Sequence, residues 1–436
     1  MQTGGTGQNH LPGCCDAMTL SNSAISTGDT IDLNSGNFEA ALRDLPRRFA
    51  FVLRNITRMQ KGSVEVTVPG GKTFKYEGPE PGPHGVATLH TWGLVRRVLT
   101  GGSLGAAESY VAGEWDSPDV TGFLELFLAN SGGHGADGFF QRNPLINLMT
   151  SFQHWMNRNS KKGSKRNISA HYDLGNSFYK QWLDPSMTYS SGIFRDGANS
   201  LEESQEAKYR SLVERTDIQA DHHVLEIGCG WGGFAEYVAK NIGCQVTCLT
   251  ISQEQFDYAT DRIAKAGLAD KVEIKFQDYR DEKGIYDRIA SIEMFEAVGE
   301  KFWPSYFERL KSCLKPGGKA GLQIITIAEA DFEDYRKNPD FIQKYIFPGG
   351  MLPTQTVLKD FSDRFGLNEV SSRAFGYDYA ATLEAWRHRF WKAWPTIKPL
   401  GFDDRFKRMW DFYFHYCEAG FKRDTIDVRQ IVYQKA

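Results

Sequence analysis

Nowhere does this chain carry the run of about eighteen uninterrupted apolar residues that a membrane-spanning helix requires, so no spanning helix is expected. Its first residues, MQTGGTGQNHLPGCC, have neither the basic nor the apolar region of a secretory signal, and a cytosolic protein is expected. Net charge is also scarce. Lys plus Arg number 51 against 54 Asp plus Glu, a balance of -3 that gives no general attraction to nucleic acid. An anionic partner must therefore be met by a local basic patch. Cysteine is sparse and odd in number: Cys14, Cys15, Cys229, Cys244, Cys248, Cys313 and Cys417 form no zinc-like pair of pairs and no even disulfide framework. Free thiols are expected, and no metal. Cys244 and Cys248 are four apart, but the residues around them read as the start of a strand.

What is present is length and apolar content. With 436 residues, 41% of them hydrophobic, the chain can bury more than one core, and two or three domains are expected. Residues 1–38 are rich in Gly, Ser, Thr and Asn and read as a flexible leader. Residues 39–135 read as a small α+β domain. A helical pattern ends near Met59, and Val64, Val66 and Val68 then alternate with polar residues. Pro69-Gly70-Gly71 makes a hairpin turn before Phe74 and Tyr76 resume the alternation. The apolar segment VTGFLELFLAN suits a buried helix and a lipid-facing surface equally.

Residues 136–167 read as a connector. GFFQRNPLINLMTSFQHWM has aromatic and aliphatic residues at helical spacing, and Arg158, Lys161, Lys162, Lys165 and Arg166 follow with no acidic residue among them. Apolar then basic suits an anionic membrane surface, where each basic side chain is worth roughly 1 kcal/mol. A solvated linker beside an ordinary core helix is the alternative.

Residues 168–436 read as a doubly wound α/β domain, with strands in HHVLEIG, QVTCLTIS, KVEIKFQDY, DRIASIEMF and KAGLQIITI. Its first turn is Glu226-x-Gly228-x-Gly230-x-Gly232, between an apolar strand and a helix, where glycines admit a ligand close to the backbone. The spacing departs from G-x-G-x-x-G. The second strand ends Leu249-Thr250-Ile251-Ser252, without the acidic residue that holds a nicotinamide ribose. Gln277, Asp278 and Tyr279 end the third strand, placed to meet an adenine edge. An S-adenosylmethionine site accounts for these features better than an NAD site does.

Several motifs, in one order and far apart, then resemble a family: the bacterial cyclopropane fatty acid synthases and their mycolic acid methyltransferase relatives. They are HYDLGNSFYKQWLDPSMTYSSGIF, LEIGCGWGG, LTIS-x-x-Q, FQDYRD, MFEAVG, KYIFPGGMLP and FGYDYAATL, within residues 165–436. The resemblance implies a Rossmann-like S-adenosylmethionine-dependent methyltransferase domain behind a lipid-binding N-terminal domain, often as a homodimer. It implies cofactor contacts from Tyr189, Ser190, Gly228, Gly230, Thr250, Ser252, Gln255, Gln277, Asp278 and Tyr279. It also implies a bicarbonate base caged by Ser191, Glu296, Gln323, Ile325 and Tyr379, with Glu296 orienting it and Tyr379 donating. The substrate implied is an unsaturated phospholipid and the product a cyclopropane fatty acid; for a cytosolic chain with a basic connector, the expected place is the inner face of the membrane.

An alkene attacking an activated methyl leaves a carbocation on the neighbouring carbon, which aromatic faces stabilise without bonding to it. Candidates are Tyr172, Phe178, Phe194, Phe295, Tyr345, Phe347, Tyr377 and Tyr379. Three positions depart from most ring-forming members, which have Cys where this chain has Ser191 and His where it has Ala297 and Gln323. The product is therefore open: transfer of a methyl or methylene group without ring closure is the alternative, and a lipid-binding protein without turnover is a third reading. His171 and His388 are the substitute imidazoles suggested.

Overall fold

The computed structural model describes residues 29–36, 38–131 and 174–436. The basic connector with Arg158, Lys161, Lys162, Lys165 and Arg166 lies outside the described residues, as do His171, Tyr172 and the chain up to residue 28. Among the described residues, no helix is long and apolar enough to cross a membrane.

The N-terminal unit is a five-stranded sheet: β1 (Thr30–Asp32), β2 (Lys61–Thr67), β3 (Thr73–Glu77), β4 (Glu80–Leu89) and β5 (Trp115–Asp116), in the order β1-β3-β2-β4-β5. The hairpin read from alternation is present, with Val64 opposite Tyr76 and Val66 opposite Phe74, all four buried. β1 pairs in parallel with β3, so the sheet takes in residues from the stretch expected as leader. The segment VTGFLELFLAN forms the helix Val120–Ala129, started by Asp119, whose side chain accepts from the Gly122 amide. Val120, Phe123 and Leu126 are buried, as expected of a helix packed between β4 and the helix Asp404–Lys422.

The C-terminal sheet has seven strands: β6 (His223–Ile227), β7 (Gln245–Thr250), β8 (Val272–Phe276), β9 (Tyr286–Ile292), β10 (Leu314–Ile327), β11 (Leu367–Ala374) and β12 (Ile426–Lys435). Their order is β11-β12-β10-β9-β6-β7-β8. β6 to β10 are mutually parallel, while β12 runs antiparallel to both its neighbours. Helices cover both faces of a parallel sheet, which is why the inner strands read as apolar runs instead of alternating. The chain leaves β6 for β7 and β8 on one side, then crosses to β9 on the other. That reversal opens a crevice at the carboxyl ends of β6 and β9.

The two units share one core. Phe49, Trp115 and Leu126 belong to the same cluster as Phe178, Trp182, Trp386, Trp410 and Phe414. Buried polar pairs pin the junction: Tyr110 donates its hydroxyl to Asp411 at 2.5 Å, and Thr121 meets His415 Nδ1 at 2.7 Å.

Candidate active site

A cavity of about 400 Å³ opens at this crevice. Its walls come from the strand ends after β6, β7, β8, β9 and β10, with Ser103 and Leu128 added by the N-terminal unit. The glycine turn forms one end. Gly228, Gly230 and Gly232 have φ of +82°, +54° and +80°, a region costly for other residues. A Cβ on Gly228 would lie 2.6 Å from Met294 Cγ, whereas Gly230 has open space in front of it. The turn is a cradle shaped for a ligand against its backbone, which fits the adenosyl cofactor.

Tyr189, Ser190, Thr250, Gln255, Gln277, Asp278 and Tyr279 also line the cavity. Thr250 donates to Gln255 Oε1 at 3.0 Å, and Arg280 grips the Asp278 carboxylate with two bonds of 2.8 and 2.5 Å. Gln277 Nε2 donates to Glu282 at 3.0 Å. Ser252 is different. It is absent from the cavity wall and caps the helix Gln253–Lys265, accepting from the Gln255 amide.

Beyond the cofactor end lie two carboxylates, Glu293 and Glu296, on the turn that follows β9. Both are half-buried and border the cavity. Of the five residues expected to cage an anion, three converge on Glu293. The Ser191 amide and Gln323 Nε2 donate to Oε1 at 2.9 and 2.8 Å, and the Tyr379 hydroxyl donates to Oε2 at 2.6 Å. The Ser191 hydroxyl turns away and donates to the Gly192 carbonyl at 2.9 Å. Ile325 gives its amide to Glu296 Oε1 at 2.5 Å, and Glu296 Oε2 is buried without a hydrogen-bond partner. Burial, reinforced by the negative charge of Glu293, pushes the Glu296 carboxyl up to about 8, so it is largely a neutral acid near pH 7.

A cation sits behind this pair. Lys208, wholly buried on the helix Leu201–Thr216, donates to Ser190 Oγ at 2.7 Å and Gln205 Oε1 at 2.6 Å. Burial draws its ammonium down to about 7, against the attraction of Glu293, Asp184 and Glu226. Burial raises the Glu293 carboxyl, and its three donors and Lys208 oppose the rise. Sequence reasoning passed over Glu293 and Lys208. Glu293 carried the same signal as Glu296, a carboxylate just beyond an apolar strand. Lys208 gave none, since a lysine in a helix ordinarily faces water.

Much of the remaining wall is apolar and aromatic, with Ile342, Phe347, Met351, Leu383, Tyr413 and Phe421, while Asp331, Asp334, Asn338, Asp340 and Gln343 add a polar stretch. The Tyr189 hydroxyl donates to Tyr413 at 2.9 Å, and Tyr379 stacks on Phe421 with centroids 4.4 Å apart. Of the candidate cation-stabilising rings, Phe347 and Tyr379 reach the cavity. Phe178 and Phe295 lie in the hydrophobic core, the Tyr345 hydroxyl binds Glu108 at 2.6 Å, and Tyr377 is 57% exposed. Phe194 packs on the main core cluster away from the cavity wall. His388 is exposed and off the cavity, so it supplies no imidazole there.

Residues 159–431 match the family described as mycolic acid cyclopropane synthetase. The tuberculostearic acid methyltransferase UfaA1 of Mycobacterium tuberculosis is 39% identical over 347 residues, covering 77% of this chain and 80% of the relative. The cyclopropane-fatty-acyl-phospholipid synthase of Escherichia coli K12 is 37% identical over 341 residues, covering 78% and 85%. Among solved structures, the mycolic acid cyclopropane synthase CmaA1, complexed with SAH and CTAB, superposes with a TM-score of 0.58 at 26% identity, covering 62% of this chain and 98% of that one.

Proposed function

The chain belongs to the mycolic acid cyclopropane synthetase family and is an S-adenosylmethionine-dependent methyltransferase that modifies lipid acyl chains; from that premise we propose that it adds a methylene group across the double bond of an unsaturated phospholipid acyl chain, closing a cyclopropane. The observation that carries the reading is the single cavity in which a glycine cradle, an apolar and aromatic wall and a carboxylate with three donors meet.

When bound, S-adenosylmethionine supplies an electrophilic methyl. The chain's own residues do the rest. Ser190, fixed by Lys208, and Tyr189, fixed by Tyr413, wall the cofactor end and hold the alkene and the methyl in line near it. Phe347, Tyr379 and Tyr413 offer ring faces to the cationic carbon left by attack, and their apolar neighbours keep out water that would quench it. A base must then remove a proton from the added methyl. Glu296, as a neutral acid, is a poor candidate, and its bond to the Ile325 amide fits a wall-building role.

A second reading, transfer of a methyl or methylene group without ring closure, is favoured by the likeness to the tuberculostearic acid methyltransferase and by Ala297 and Gln323, which leave no imidazole in the cage. In both readings the lipid is met at an anionic membrane surface through the basic connector and the N-terminal unit. The family resemblance supports a homodimer, and the basic connector supports a place at the inner face of the membrane. Release of S-adenosylhomocysteine in the presence of vesicles of unsaturated phospholipid, and not of saturated phospholipid, is the expected result. Equal release with both would remove the double bond from the reaction.

A further inference from the structure

Bicarbonate, the base implied by resemblance, needs donors to hold it, and the residues expected to cage it have spent theirs. The Ser191 amide, Gln323 Nε2 and the Tyr379 hydroxyl all bind Glu293, and the Ile325 amide binds Glu296. The Ser191 hydroxyl is committed to the Gly192 carbonyl, and Gln323 Oε1 accepts from Gln430 at 3.2 Å. A free anion does not fit among them, because a carboxylate attached to the chain already stands where those donors point.

Four further observations concern that residue. Glu293 has φ of +50°, a left-handed conformation that is costly for a non-glycine residue and persists only where the surroundings impose it. Its amide donates to the Gln323 carbonyl at 2.8 Å, which fixes the turn to the very strand that supplies one of its donors. A carboxylate offers about four acceptor positions, and the hydrogen bonds above use three, leaving one on Oε2. The next residue, Met294, lies against Gly228 of the cofactor cradle, and Glu293 borders the same cavity as that cradle.

We propose that Glu293 is the proton acceptor for the added methyl and replaces bicarbonate in this enzyme, a proposal that rests on the one-carbon-transfer reading. In ring closure, a C–H bond of the transferred methyl breaks and its electron pair forms the second C–C bond to the cationic carbon. The proton moves to Oε2 of Glu293 and leaves through the cavity to solvent. No external base enters the balance. Tyr379, donating to the same oxygen, is a positioning residue that keeps the free lone pair turned toward the cavity.

The test uses the full-length protein with unsaturated phospholipid vesicles in buffer purged of carbon dioxide. Turnover should equal that in bicarbonate buffer within about twofold. Glu293→Gln should lose roughly 10²- to 10⁴-fold in turnover, the usual worth of a general base, while S-adenosylmethionine affinity measured by calorimetry stays within about twofold. Bicarbonate titrated into the unaltered protein should give no saturable heat. A tenfold fall on purging, near-normal turnover of Glu293→Gln, joint loss of cofactor binding in that variant, or saturable bicarbonate binding would each overturn the proposal. Absence of turnover with every unsaturated lipid would instead sink the one-carbon reading, and the bicarbonate titration would still decide who occupies the cage.

Discussion

Glu293 and Glu296 stand three residues apart on one turn and border one cavity; burial raises both carboxyls, but the groups that oppose the rise differ. Glu293 takes three donors and faces a buried lysine, whereas Glu296 takes one amide and keeps an unpartnered oxygen. The difference is measurable as a pH dependence of stability. Burial raises Glu296 from an ordinary 4.5 to about 8, so between those values the folded chain holds a proton that the unfolded chain has released. Stability from this group is complete below about pH 4.5 and is lost as pH rises through about 8. Thermal denaturation should therefore show a melting temperature that falls between pH 5 and 8, and Glu296→Gln should fall less. Glu226, raised to about 8 by the same burial, leaves a residual slope in the variant. An identical slope in both proteins would show that Glu296 is ionised in the fold. Sequence reasoning named Glu296 and missed Glu293 because the donors that distinguish them come from far along the chain, 102, 30 and 86 positions away.

The strands and turns are where the sequence was most legible. Apolar runs marked the inner strands β6, β7 and β9, since parallel strands buried on both faces leave no alternation, whereas the edge strand β8 was marked by the alternation of Val272, Ile274 and Phe276 with Glu273 and Lys275. The glycine turn was equally plain, because φ near +80° at Gly228 and Gly232 admits little else. Gly228→Ala should lower S-adenosylmethionine affinity about 10- to 100-fold, from 1–3 kcal/mol of backbone strain. Unchanged affinity by calorimetry would deny the turn its role as a cradle. Ser252 has a structural task that the motif did not announce. Its side chain caps the helix Gln253–Lys265. Ser252→Ala should cost about 1 kcal/mol in urea denaturation while leaving cofactor affinity within about twofold. A large loss of affinity at unchanged stability would return Ser252 to the cofactor site.

At the scale of the whole molecule, the N-terminal unit is joined to the catalytic domain by one core and by buried bonds between residues as far apart as Tyr110 and Asp411, 301 positions. No local pattern announces such a junction, and composition alone suggested separate modules. Tyr110→Phe leaves a buried carboxylate with one donor fewer and should destabilise the protein by about 1–3 kcal/mol in urea denaturation. No loss would mean that the junction is not coupled to the stability of the fold. The shared core also brings Ser103 and Leu128 of the N-terminal unit onto the wall of the same cavity as the glycine turn. What happens in that cavity is decided most directly by the fate of the methyl hydrogens. With a trideuteromethyl donor and unsaturated phospholipid, removal of a proton from the added methyl leaves two deuteriums in the product, and ring closure gives the high-field proton signals of a cyclopropane. Retention of three deuteriums, or a vinylidene signal without ring protons, would contradict the cyclopropane synthase assignment.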